Sequence, residues 1–253
     1  MERLVRLLIM AAAGFVPAGA LWAASAAGHG RIWMVFTGAL AAAALIAGWP
    51  DLARLPDPHS ASLTLRFTAL ATIALAAWRP GPTAVLVAIA LGFPAVFARE
   101  LTRPAPRPEL VRSVTGTTAG VIAVAAIGLW VSAERFDQFL DLAVLAGSGI
   151  AAAALGLGLS LLAPPGRWRA EIGALASLAA AAGAGAGMSF AVVTHWWAGA
   201  AVAAACAVAP GAIWLVGESR PVLTQPWRWG DAALVCLPLA VAAVPVWTAA
   251  LIR

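Results

Sequence analysis

Long, nearly uncharged apolar runs recur along the whole chain, and they constrain its fold more than any other feature. A bilayer core about 30 Å thick is crossed by about 20 apolar residues in a helix. The chain is 62% hydrophobic and only 11% charged, whereas soluble domains carry about 25% charged residues. The runs also lack the alternation of a membrane barrel. The sequence therefore predicts an all-α, polytopic membrane helix bundle.

Nine spans follow from these runs, and short loops between them leave a single transmembrane domain without a soluble one. The spans are Leu7–Ala27, Ile32–Trp49, Ala61–Trp78, Pro82–Ala98, Val114–Ala133, Phe139–Ala163, Ile172–Val193, Trp196–Gly217 and Ala232–Ile252. The third contains Arg66, so a shorter re-entrant pair of the third and fourth is an alternative, with seven or eight spans in all. The first resembles a signal peptide, but its length favours a retained helix.

Arginine is distributed unevenly between alternate loops, and all sixteen basic residues are arginine. With the N-terminus inside, twelve fall in inner segments and four in outer segments. Cytoplasmic loops of membrane proteins carry such an excess. Tryptophan, which prefers the headgroup level, also falls near span ends or in loops. The sequence thus predicts a bacterial cytoplasmic-membrane protein with its N-terminus cytoplasmic and Arg253 outside.

Three stretches resemble a known group of proteins. They are Trp49-Pro-Asp-Leu-Ala-Arg-Leu-Pro-Asp-Pro58, Arg99-Glu-Leu-Thr-Arg103 and Arg107-Pro-Glu-Leu-Val-Arg-Ser-Val-Thr-Gly-Thr-Thr-Ala-Gly120. They are similar to multi-pass actinobacterial membrane proteins that are often labelled only "membrane protein" or "permease". The resemblance covers Trp49 to Gly120 and implies a lineage and a topology. It implies no activity and no functional residues.

The segment between the fourth and fifth spans carries the one charge cluster that indicates a ligand. Its basic residues are Arg99, Arg103, Arg107 and Arg112, offset by Glu100 and Glu109. Three prolines, Pro104, Pro106 and Pro108, are expected to keep it extended. Because guanidinium groups bind phosphate through two parallel hydrogen bonds, we predict a site for an anionic lipid headgroup or another phosphate. The alternative is charge that only sets topology.

Other chemistry is sparse in this sequence. His29 and His195 both fall on the predicted outer side, and imidazole is a common metal ligand. Two histidines alone make an incomplete site, so we predict no metal, no cofactor and no catalytic residues. Cys206 and Cys236 lie in apolar runs and are predicted to be packing residues. We also predict that Gly149 and Gly156 of the sixth span meet Gly183 and Gly187 of the seventh, because small residues let membrane helices approach closely.

Three functional classes remain open. A permease-like transporter is favoured by the span count and by prolines within spans, since interrupted helices often frame substrate sites. A non-catalytic structural or assembly subunit of a larger membrane complex fits the short loops, and a lipid-handling membrane enzyme is the third class. The expected partners are the lipid bilayer, anionic lipids and other membrane proteins. Nucleic acid is not expected, because the arginines lie at the ends of apolar runs.

Overall fold

The described part of the chain is built from helices alone. The computed structural model describes residues 15–16, 18–20, 22–23, 30–78, 81–104, 109–133, 144, 146–153, 155, 175–184, 186, 200–206 and 229–252, and no strand occurs among them. Five long helices are α1 (Gly30–Leu52), α2 (Pro58–Trp78), α3 (Pro82–Thr102), α4 (Leu110–Ala133) and α5 (Trp229–Ile252). The predicted all-α class is therefore confirmed for these residues.

Within the described residues, three helices are long and apolar enough to cross a membrane. Their spans are Val35–Leu52, Pro82–Thr102 and Leu110–Ser132. A helix of about 20 residues rises about 30 Å, which matches the bilayer core. The chain therefore has the helices of a membrane protein. Shorter helical stretches, 146–153, Leu175–Ala184 and 200–206, lie within the predicted sixth, seventh and eighth spans.

The third and fourth predicted spans form full-length helices. α2 and α3 contain 21 residues each and pack against one another, and of the two only α3 is among the helices long and apolar enough to cross a membrane. The helices also continue past the apolar runs: α3 ends at Thr102 rather than Ala98, and α4 begins at Leu110 rather than Val114. Backbone hydrogen bonding in a helix does not depend on apolar side chains, so hydropathy alone ends α3 too early and begins α4 too late.

A capped turn joins α1 to α2 and sets where α2 begins. Arg54 has a positive φ of 51°, the Leu55 amide donates to the Pro50 carbonyl at 2.9 Å, and the Arg54 amide donates to the Asp51 carbonyl at 3.2 Å. This is the Schellman pattern that ends many helices. Leu55 is buried, so the chain turns at a defined point and delivers the next residues to the start of α2.

Helix α4 lies at the centre of the described bundle. It contacts each of the other four long helices. In its membrane span 61% of the residues are buried, against 33% in each of the other two spans. Trp130 is 2% exposed, and its Nε1 donates to the backbone carbonyl of Leu239 in α5 at 2.8 Å. The core therefore forms around α4.

Glycines of α4 allow its neighbours to approach closely. A Cβ atom on Gly120 would lie 2.6 Å from Trp49 Nε1 and 2.9 Å from Leu65 Cδ2. The Trp49 Nε1 itself donates to the Gly116 carbonyl at 2.8 Å. Small residues permit such contacts between membrane helices. The close contacts at Gly116 and Gly120 of α4 were not predicted from the sequence.

The predicted contact between glycines of the sixth and seventh spans is wrong for Gly149 and Gly183, the two of the four that the structure describes. A Cβ on Gly149 would lie 2.9 Å from the Cα of Ala203, and one on Gly183 would meet nothing within 4 Å. The two segments are neighbours all the same, because Ala153 packs with Ala181. The contact between the two segments is therefore made by alanines, whereas Gly149 faces Ala203 and Gly183 faces open space. Gly156 and Gly187 lie outside the described residues.

Tryptophans near the predicted outer ends divide into two groups. Trp33 and Trp78 are 46% and 77% exposed, as expected for side chains at a headgroup layer. Trp130 and Trp247 are buried within the bundle. Trp130 and Trp247 also lie near predicted span ends in the sequence. Each helix is rotated about its axis so that these side chains face the interior of the bundle, where they pack.

Candidate functional site

A small polar cavity lies where α2 begins and α3 ends. Its volume is about 130 Å³. The residues that line it are Asp57, Ser60, Arg99, Thr102, Arg103 and Pro104. Both helix ends belong to the predicted cytoplasmic side, so the cavity is at the expected depth of the lipid headgroups.

The start of α2 supplies one wall of this cavity. Asp57 precedes Pro58, and its Oδ1 accepts a hydrogen bond from the backbone amide of Ser60 at 3.1 Å. An aspartate that caps the third helical amide, with proline in first position, is a favoured helix start. Ser60 is 5% exposed. The cap thereby holds both Asp57 and Ser60 at the edge of the cavity.

Arg99 supplies the opposite wall from the last turn of α3. Its Nε donates to the Ser60 hydroxyl at 2.5 Å, across 39 residues of chain. No carboxylate in the described part of the chain forms an ion pair with it. A neutral hydroxyl therefore orients the guanidinium through one nitrogen, and its other nitrogens remain able to bind an anion.

Glu100 is buried beside the cavity and binds across helices. Only 7% of the residue is exposed. Its Oε1 accepts a short hydrogen bond from the Ser113 hydroxyl of α4, and Arg103 Nη1 lies 3.6 Å from its Oε2. Breaking a buried pair leaves an uncompensated charge, which is strongly destabilising. We conclude that Arg103 contributes charge to the cavity wall but is largely neutralised by Glu100.

The structure brings together two of the four predicted arginines. Arg99 and Arg103 line the cavity. Arg112 does not; it pairs with Glu109 at 3.0 Å, one turn away on the exposed surface of the bundle. Arg107 lies outside the described residues. Of the predicted cluster, Arg99 and Arg103 at the end of α3 are therefore the arginines seen to line the cavity.

Two histidines were considered as metal ligands in the sequence. His29 and His195 both lie outside the described residues. In the remainder that the structure does describe, no group of three histidine, cysteine, aspartate or glutamate side chains could hold a metal ion. Cys206 is fully buried within the main apolar core, while Cys236 is partly buried against it.

Two spacing patterns in the sequence indicate buried polar residues that the charge cluster alone does not reveal. Ser60, Thr64, Thr68 and Thr72 recur every four residues, and all four are buried on one face of α2. Each threonine hydroxyl donates to the carbonyl four residues earlier, as Thr68 does at 3.0 Å, which leaves its oxygen lone pairs available. Similarly, Glu100 continues the four-residue spacing of Gly92 and Val96 on the buried face of α3.

A second cavity differs from the first in its chemistry. It has a volume of about 260 Å³ and lies between α1, α5 and the helical residues that precede α1. Its lining residues are Val16, Ala20, Thr37, Leu40, Ala41, Ala44, Cys236 and Leu239. No charged side chain of the described residues lines it, and the Thr37 hydroxyl on its wall donates to the Trp33 carbonyl at 2.8 Å.

Comparison with known proteins adds no assignment. No protein-family model, no curated protein and no solved structure matches the chain.

Proposed function

We propose that this chain is a permease-like, multi-pass protein of the bacterial cytoplasmic membrane that binds a phosphate-bearing anion at the cavity between α2 and α3. The observation that carries the proposal is the Arg99 guanidinium, which is oriented by Ser60 and has no carboxylate partner in the described part of the chain. A guanidinium fork matches the geometry of a phosphate.

Two further features support an anion at this position. The inner leaflet is rich in anionic lipid, and each basic group near it is worth about 1 kcal/mol. The row of hydroxyls from Ser60 to Thr72 leads from the cavity into the bundle, which fits a transport protein better than a purely topogenic loop.

Replacing Arg99 with glutamine should reduce the amount of phospholipid that co-purifies with the protein by about fivefold, as expected from the loss of about 1 kcal/mol of binding free energy. The measurement is mass spectrometry of lipids retained after purification in mild detergent. Arg112→Gln is the matched control, because it removes the same charge from the same cluster but outside the cavity. Equal lipid retention by both variants would reject the binding site.

An alternative function is a structural or assembly subunit of a larger membrane complex. The close packing of α4 against all four other long helices favours it, since a rigid bundle suits a scaffold. The same purification separates the two functions, because a stoichiometric partner protein would support assembly. That the chain is not an enzyme stays a prediction.

The proposed topology has nine spans, a cytoplasmic N-terminus and an external C-terminus. It rests on the excess of arginine in alternate loops and on the full length of α2 and α3. A reporter enzyme that is active only in the periplasm should be active when fused after Arg253, and a cytoplasmic fluorescent reporter should be dark there. With the N-terminus cytoplasmic, the opposite pattern would require an even number of spans.

A further inference from the structure

Asp57 places a negative charge in the same cavity as Arg99. Its side chain is half-buried, and its Oδ1 accepts the Ser60 amide at 3.1 Å. In the described part of the chain, no basic side chain forms an ion pair with this carboxylate. A carboxylate in a site for a simple anion would repel the ligand, so its presence narrows the chemistry of what the cavity accepts.

Ser60 is hydrogen-bonded to both of the opposite charges. Its backbone amide donates to Asp57, and its hydroxyl accepts from Arg99. Both charged groups line one cavity of about 130 Å³ without pairing with each other. Because Arg103 faces the Glu100 carboxylate at 3.6 Å, the charges left to a ligand are one positive group and one negative group.

We infer that the ligand is a zwitterion, namely a phosphate ester that carries a primary ammonium group, with the phosphate bound by Arg99 and the ammonium bound by Asp57. This rests on the proposed function, and it specifies the ligand class of that site. An ethanolamine phosphate has this pattern of charge, either as a lipid headgroup or as a free molecule. A trimethylammonium group is bulkier and has no N–H to donate to a carboxylate, so a choline phosphate should bind less well.

The test measures which lipids the full-length protein retains from a bilayer of equal parts phosphatidylethanolamine, phosphatidylcholine and phosphatidylglycerol. Wild type should enrich phosphatidylethanolamine over phosphatidylcholine by about fivefold, comparable to one charge-assisted contact. Asp57→Asn should remove that preference and leave phosphatidylglycerol retention unchanged or raised. Asparagine caps a helix as well as aspartate does, so α2 should remain folded. Asp57→Ser, which also caps, serves if the first variant is unstable.

Asp51→Asn is the matched control, because it removes an exposed carboxylate from the same end of the bundle but outside the cavity. If Asp57→Asn keeps the wild-type preference while Arg99→Gln loses bound phospholipid, the zwitterion inference is wrong and the phosphate site stands. If Arg99→Gln changes nothing, both are overturned. Displacement of the retained lipid by soluble phosphoethanolamine would identify the free molecule as a ligand, and resistance to it would identify the lipid.

Discussion

Replacement of Trp130 by alanine is expected to lower the free energy of unfolding by about 3–5 kcal/mol, the range for a large aromatic residue removed from a core. Trp130 is 2% exposed and packs where α4 meets α5. The substitution would remove its packing contacts and the hydrogen bond from its Nε1 to the Leu239 carbonyl, which is 2.8 Å long.

The measurement is reversible unfolding of the purified protein in detergent micelles. Trp78→Ala is the matched control, because the same truncation at a side chain that is 77% exposed should change stability by less than about 0.5 kcal/mol. Trp130→Phe should fall between them, since it keeps most of the packing and loses the hydrogen bond. Equal losses for the Trp130 and Trp78 alanine variants would mean that α4 and α5 do not pack as described.

A methyl group on Gly120 should also be costly, although it adds only one carbon. Its Cβ would lie 2.6 Å from Trp49 Nε1, 2.8 Å from Trp49 Cδ1 and 2.9 Å from Leu65 Cδ2. The indole is held by its bond to the Gly116 carbonyl at 2.8 Å, so it cannot move aside freely. Gly120→Ala should therefore destabilise the protein by about 1–3 kcal/mol, as overpacking does in well-packed cores.

Gly183→Ala supplies the comparison for this prediction. A Cβ there would meet nothing within 4 Å, and alanine has the higher helix propensity. Stability in the same unfolding assay should stay equal or rise slightly. If Gly120→Ala is tolerated as well as Gly183→Ala, the close approach of α1 and α2 to α4 would be contradicted.

The candidate site was accessible to sequence reasoning only in part. The four arginines between the fourth and fifth spans drew attention to the right region, and two of them, Arg99 and Arg103, line the cavity. Asp57 and Ser60 escaped notice because they lie about 40 residues earlier and reach the site only through the pairing of α2 with α3. Spacing in a sequence reports which residues share a helix face, but not which helix that face meets.

The presence of helices long and apolar enough to cross a membrane was determined by the sequence itself. The bilayer selects each segment by its own length and apolar content, and that property needs no knowledge of neighbouring segments. Pro82 as the first residue of α3 and Ala133 as the last of α4 were both predicted in this way. Only the tertiary structure decided that Glu100 is buried against Ser113, that Arg112 lies apart from Arg99, and that the close glycine contacts belong to α4. Those outcomes depend on how each helix is rotated about its axis and which neighbour it faces, and helix rotation is set by packing between segments.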